Sequence, residues 1–179
     1  MNLPNKLSLA RIAIVPVLVF LLYLESDFAR AMALVLFVLA AITDLVDGYL
    51  ARKNEEVTDF GKFIDPLADK VLVLSTLIML VHLRELSGFV PVIILFRELA
   101  VDGLRLIAAT SKKRKVIPAG MLGKIKTNLQ IFAILFYLAR PMGVGMAKEI
   151  LMALAVIMTI ASGIEYFIKN KSVLQLRRK

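Results

Sequence analysis

Asp44-Leu45-Val46-Asp47-Gly48-Tyr49-Leu50-Ala51-Arg52, followed after eight residues by Gly61 and then by Asp65 and Asp69, is the densest arrangement of acids in a strongly apolar chain. On a helix, positions i, i+3, i+4 and i+7 share one stripe. Asp44, Asp47, Gly48 and Ala51 hold those positions, so two carboxylates and two very small residues lie on one face. Leu45, Val46, Tyr49 and Leu50 turn elsewhere. Asp65 and Asp69 are an i, i+4 pair on the next apolar segment. A short loop between the two segments makes them antiparallel neighbours, and the two carboxylate pairs converge near one end.

Working outward, the apolar residues gather in six runs: Ser8–Leu24, Phe28–Leu50, Phe63–Leu83, Phe89–Thr110, Met121–Leu138 and Met146–Ile168. Each approaches or exceeds the ~20 residues that a membrane-spanning helix needs. Of the 179 residues 59% are hydrophobic, above the ~45–50% of an average soluble domain. The expected architecture is an all-α integral membrane protein, a single bundle of six spans over residues 1–179. It has a short amphipathic lead of about residues 1–7 and a basic tail of about residues 169–179. No small-residue cleavage site follows the first run and Arg11 lies within it, which argues against a removed signal peptide.

Sixteen of the 23 Lys and Arg residues fall at one set of span ends, four at the other, and Lys70, Arg97 and Arg105 lie within spans. The rich side is read as cytoplasmic, which places both termini inside and the acidic cluster at the cytoplasmic face of the cell membrane. The net charge of +9 is thus a topology signal that also attracts anionic membrane lipids. Nucleic acid is excluded as a partner, because no soluble basic domain is present to bind it. The absence of cysteine and the single His82 exclude disulfides, thiolate catalysis and multi-His metal sites.

Acids within a bilayer are costly, about 2.5–3.5 kcal/mol for each Asp at a helix centre. Four in one hairpin need a cationic partner. A cluster of carboxylates without His or Cys is a hard, oxygen-only site suited to Mg²⁺ or Mn²⁺. Four negative charges are balanced by two divalent ions, leaving a site able to accept an anionic diphosphate. Gly48, Ala51 and Gly61 would then provide space against the helix backbone, with small-residue helix packing as the structural alternative. Arg52 can give paired hydrogen bonds to a phosphate. Two starts for the third span are compatible with Pro66. Either Asp65 caps a helix with Pro66 at its first position, leaving Gly61 in a loop, or a proline-kinked helix begins near Thr58 and carries Gly61 on the aspartate stripe.

The spacing Asp44-x2-Asp47-Gly48-x2-Ala51-Arg52-x8-Gly61-x3-Asp65-x3-Asp69 resembles, without departure, the signature of the CDP-alcohol phosphotransferases. The resemblance implies a six-helix transmembrane fold, commonly a homodimer, and a reaction in which an acceptor hydroxyl attacks the β-phosphorus of a CDP-linked lipid and releases CMP. It makes Asp44, Asp47, Asp65 and Asp69 metal ligands and Asp69 the catalytic base. Asp44, Gly48, Ala51, Arg52 and Gly61 become the nucleotide contacts. A carboxylate beside two divalent ions is a weak proton acceptor, so positioning and charge neutralisation are expected to supply most of the rate.

The opening Asn2-Leu3-Pro4-Asn5-Lys6-Leu7-Ser8-Leu9-Ala10-Arg11-Ile12, the pair Arg97-Glu98 and the segment Gly123-Lys124-Ile125-Lys126-Thr127 resemble the bacterial branch of the family whose acceptor is sn-glycerol 3-phosphate. The implied reaction transfers phosphatidyl from CDP-diacylglycerol to that acceptor. Lys124, Lys126 and Thr127 open the fifth helix, where backbone N–H groups and the dipole favour an anion, and with Arg105 they are the candidates for the acceptor's phosphate. The lysines would equally serve as markers of the inner face. Arg97, Glu98 and Asp102 read as an ion-pair network holding the fourth helix. Inositol phosphate, serine or phosphatidylglycerol are the alternative acceptors. A divalent-cation channel or transporter is the alternative from another class, since intramembrane acids mark ion paths, but it leaves Gly48, Ala51 and Arg52 without a role.

Overall fold

The buried face of the first helix follows an alternating three- and four-residue step through Ser8, Arg11, Val15, Leu18 and Leu22. That is the stripe an amphipathic helix turns toward its neighbours, here polar in its first half and apolar in its second. A computed structural model describes residues 3–53, 59–110, 120–140 and 145–171, with the backbone but not the side chains of residues 3–4, 44–53, 59–60, 62–63 and 110. Among these residues there are six helices: α1 Leu3–Tyr23, α2 Asp27–Lys53, α3 Asp59–His82, α4 Phe89–Thr110, α5 Met121–Ala139 and α6 Gly145–Lys169.

They agree with the six apolar runs to within a few residues at each end. The largest differences lie at polar starts. α1 begins at Leu3 rather than Ser8, because the polar residues of its first turns, Asn5 and Ser8, are buried and belong to the helix. α3 begins at Asp59 and runs through Pro66. This is the second of the two starts that Pro66 allows, so Gly61, Asp65 and Asp69 are i, i+4 and i+8 on one helix. Proline there withholds the N–H that the carbonyl of Lys62 would accept from.

Among the described residues two helical segments, Asn5–Tyr23 and Gly145–Lys169, are long and apolar enough to cross a membrane. The other four interleave ionic and amide side chains with the apolar ones, as in Arg97, Glu98, Asp102 and Arg105 of α4 or Lys124, Lys126, Asn128 and Gln130 of α5. Large apolar side chains are nonetheless exposed on every helix, among them Phe20, Phe28, Ile78, Phe96, Phe132 and Ile157.

The chain divides into two compact units, Met1–Ser87 with Ile134–Gly145, and Gly88–Ala133 with Met146–Lys179. In the first, α1 packs on both α2 and α3. Small residues of α2, Ala29, Ala33 and Ala40, are fully buried with Phe37, and such residues let helix axes approach closely.

Charged residues, not glycines, close three helices of this unit. Glu25 (φ 53°), Arg84 (φ 58°) and Arg140 (φ 43°) each take the left-handed conformation at a helix C-terminus. After α3 the hydrogen bonds Arg84 N to Val81 O (3.0 Å) and Glu85 N to Leu80 O (3.0 Å) form the Schellman pattern. α2 opens on Ser26, whose hydroxyl accepts from Ala29 N at 3.1 Å, with Asp27 in the first turn.

Ionic contacts tie these ends together. Arg30, itself buried, donates through Nη2 to Glu85 Oε1 at 2.5 Å and through Nη1 to the carbonyl of Tyr137 at 3.2 Å. Arg140 also donates to Glu85, whose side chain is only 12% exposed. Burial pushes the Glu85 carboxyl upward, but hydrogen bonds from Arg30 and Arg140 and their charges outweigh it and hold it below its ordinary 4.5. A carboxyl depressed in this way stabilises the fold above its unfolded value, and that contribution disappears as pH falls through the folded one. Glu85→Gln is therefore expected to cost about 3 kcal/mol at pH 7. In thermal unfolding of the purified protein, its gap to the parent should close below about pH 4.5.

A polar seam runs through the second unit. Gln130 Nε2 donates to Thr159 Oγ1 (3.0 Å), Ser162 Oγ to Thr159 O (3.0 Å), and Arg97 Nη2 to Ser162 Oγ (3.0 Å). Gly163 makes the room for Arg97, since a Cβ at that position would lie 3.1 Å from Arg97 Cγ. Beside the seam Val101, Leu104, Ala108 and Tyr166 form an apolar cluster.

Candidate functional site

α3 carries the described half of the signature. Gly61 is buried, and Asp65 and Asp69 follow it at successive helical turns, both partly accessible. Their acceptor oxygens meet donors from α1. The Ser8 hydroxyl, fully buried, donates to Asp65 Oδ1. Arg11 Nη1 donates to Asp69 Oδ1 at 2.6 Å. The Arg11 side chain is 1% exposed and that of Asp69 44%, so the cation is fixed in the packing while the carboxylate reaches the surface of the unit.

The side chains of Asp44, Asp47, Gly48, Ala51 and Arg52 lie outside the described residues; their backbone is the last part of α2. Among the described residues no group of three metal-binding side chains forms. Asp65 and Asp69 still fit a hard divalent ion by their chemistry. Both present carboxylate oxygens on one helix face, the chain has no cysteine, and its one histidine, His82, lies at the other end of α3.

The proposed acceptor-phosphate residues all belong to the second unit. Lys126 is buried and paired with Glu98, which also accepts from Arg97 Nη1 at 3.1 Å. The network expected on α4 therefore extends to α5, while Asp102 stands 3.9 Å from Arg105. Arg105 Nε donates to the Tyr166 hydroxyl at 3.2 Å, and its guanidinium lies 5.4 Å from the ring centroid, within cation–π range. Lys124 is exposed, and the exposed Thr127 returns its hydroxyl to Gly123 O at 3.1 Å. Glu165 pairs with Lys169 one turn on. His82 stacks on Tyr23 with centroids 5.7 Å apart and stands 3.8 Å from Glu25.

Sequence reasoning missed Ser8 and Arg11. Neither was given a partner or a place in the site, although the i, i+3 spacing of Ser8 and Arg11 within a polar start was the available signal.

A family model described as CDP-alcohol phosphatidyltransferase matches residues 1–161, and the chain belongs to that family. A Bacillus subtilis protein named CDP-diacylglycerol--glycerol-3-phosphate 3-phosphatidyltransferase is 40% identical over 190 residues, covering 97% of each chain. A Rickettsia typhi protein of the same name is 42% identical over 93% of this chain and 95% of its own. A Mycobacterium tuberculosis protein named probable phosphatidylglycerophosphate synthase is 43% identical over 92% of this chain and 79% of its own.

Proposed function

We propose that this chain transfers the phosphatidyl group of CDP-diacylglycerol to sn-glycerol 3-phosphate, forming phosphatidylglycerophosphate and CMP. The observation that carries the reading is 40% identity, across 97% of the chain, to a relative named for that reaction. An acceptor hydroxyl oxygen bonds to the phosphorus that bears the diacylglycerol. The bond from that phosphorus to CMP breaks, CMP leaves with the electron pair, and the hydroxyl proton is lost.

We assign the protein to the cytoplasmic membrane as a six-span bundle, a homodimer with both termini and the site at the cytoplasmic face. The acids of α2 and α3, and the lysine-rich ends of the helices, support that orientation. Asp44, Asp47, Asp65 and Asp69 would hold two Mg²⁺ or Mn²⁺ ions, which would supply charge neutralisation of the diphosphate and of the leaving CMP. Asp44, Gly48, Ala51, Arg52 and Gly61 receive the cytidine nucleotide, and Asp69 is the proton's destination. Arg105, Lys124, Lys126 and Thr127 take the acceptor's phosphate.

Radiolabelled acceptors offered with CDP-diacylglycerol to the purified protein test the reading directly. Label from glycerol 3-phosphate should enter lipid with release of CMP. Incorporation of inositol phosphate, serine or phosphatidylglycerol instead would reassign the acceptor. Chelation of divalent ions should lower turnover at least ~100-fold, with recovery on adding Mg²⁺ or Mn²⁺. Full turnover after chelation would remove the metal from the mechanism.

A further inference from the structure

Two buried donors of α1 meet the two signature carboxylates of α3 in matched order: Ser8 with Asp65, Arg11 with Asp69. The donors are three residues apart and the acceptors four, steps of ~4.5 and ~6 Å along helices that run in the same direction. Burying a guanidinium costs several kcal/mol unless it is paired, so a 1% exposed Arg11 is not an incidental surface cation. Its partner is far more accessible, which makes Arg11 the fixed member of the pair. A packed guanidinium cannot swing away when a ligand arrives. It therefore contributes +1 beside any ions bound there. Four aspartates and two divalent ions sum to zero, so Arg11 adds one positive charge to that balance, the sign an incoming diphosphate needs.

We propose that Arg11 and Ser8 are positioning residues of the transfer site. They fix the orientations of Asp69 and Asp65, and Arg11 is a permanent countercharge for the diphosphate. The inference rests on the metal-dependent reading given above. A purely architectural Arg11 would support folding and metal binding alike. A positioning Arg11 separates them, because it repels the ions electrostatically while aligning a carboxylate for the reaction.

The test measures Mn²⁺ binding by electron paramagnetic resonance on the purified full chain without substrate, and steady-state kinetics, for the parent, R11Q, R11K and S8A. R11Q should bind Mn²⁺ at least as tightly as the parent. Its kcat should fall ~100-fold, the penalty of a misplaced reacting group. R11K should recover at least ~10-fold of that loss by restoring the charge, and S8A should lower kcat ~5-fold or more through loss of one hydrogen bond. The KM for glycerol 3-phosphate should stay within about twofold of the parent in all three.

A kcat for R11Q within threefold of the parent overturns the assignment, as does joint loss of Mn²⁺ binding and turnover. Should R11Q fail to accumulate, parental kcat in both R11K and S8A overturns it. Absence of Mn²⁺ binding by the parent instead brings down the metal reading beneath it.

Discussion

Asp65→Asn is expected to lower kcat by at least ~1,000-fold, about 4 kcal/mol of transition-state stabilisation, with the protein still inserted and folded. The amide keeps the shape of the carboxylate and an oxygen that accepts from the buried Ser8 hydroxyl, so the packing of α1 on α3 is retained. What is lost is one negative charge and, on the proposed reading, one ligand of the divalent ions. Asp69→Asn is a less informative variant, because it leaves the buried Arg11 guanidinium without an ionic partner at Asp69, and removing one member of a buried pair costs about 3–5 kcal/mol of stability. Kinetics of Asp65→Asn beside its thermal unfolding separate the two effects. More than a tenth of the parental rate would remove Asp65 from the ion-binding set.

Lys126→Ala is expected to raise the KM for glycerol 3-phosphate by ~30-fold while changing that for CDP-diacylglycerol less than twofold. A charge-assisted hydrogen bond contributes about 1.5–3 kcal/mol, which brackets that factor. The ion pair with Glu98 adds a second expectation. On the proposed acceptor site Glu98 and a phosphate would compete for the same ammonium, so Glu98→Gln should lower the KM for the acceptor. Initial rates over a matrix of both substrates distinguish the outcomes, and equal effects of Lys126→Ala on the two would place the acceptor elsewhere.

The helices were legible because their apolar runs are long and end at breakers or charges; α4 matches its expected span Phe89–Thr110 at both ends. Pro66 was undecidable locally, since the first turn of a helix and a kinked interior both tolerate proline. Tertiary packing decided it, through a buried Gly61 and the Ser8 contact to Asp65. The Asp65–Asp69 half of the aspartate stripe was legible because i, i+4 spacing on one helix survives any packing arrangement. Its donors were not. Which residue of α1 faces Asp69 depends on how two helices rotate against each other, and an arginine near a helix start satisfies the inner-side charge pattern equally well. The Glu85 contacts were hidden for a related reason, because they join residues 55 positions apart in both directions.

Those contacts make one end of the first unit a fulcrum. Arg30, Glu85 and Arg140 clamp the start of α2, the end of α3 and the end of α5. From His82 back to Asp69 is a lever arm of thirteen residues, ~20 Å of helix. Three degrees of splay at the clamp would carry Asp69 about 1 Å, a displacement that on the proposed role of Asp69 costs ~100-fold in rate. Damage to this ion-pair cluster would thus be felt in turnover as well as in the stability of the fold.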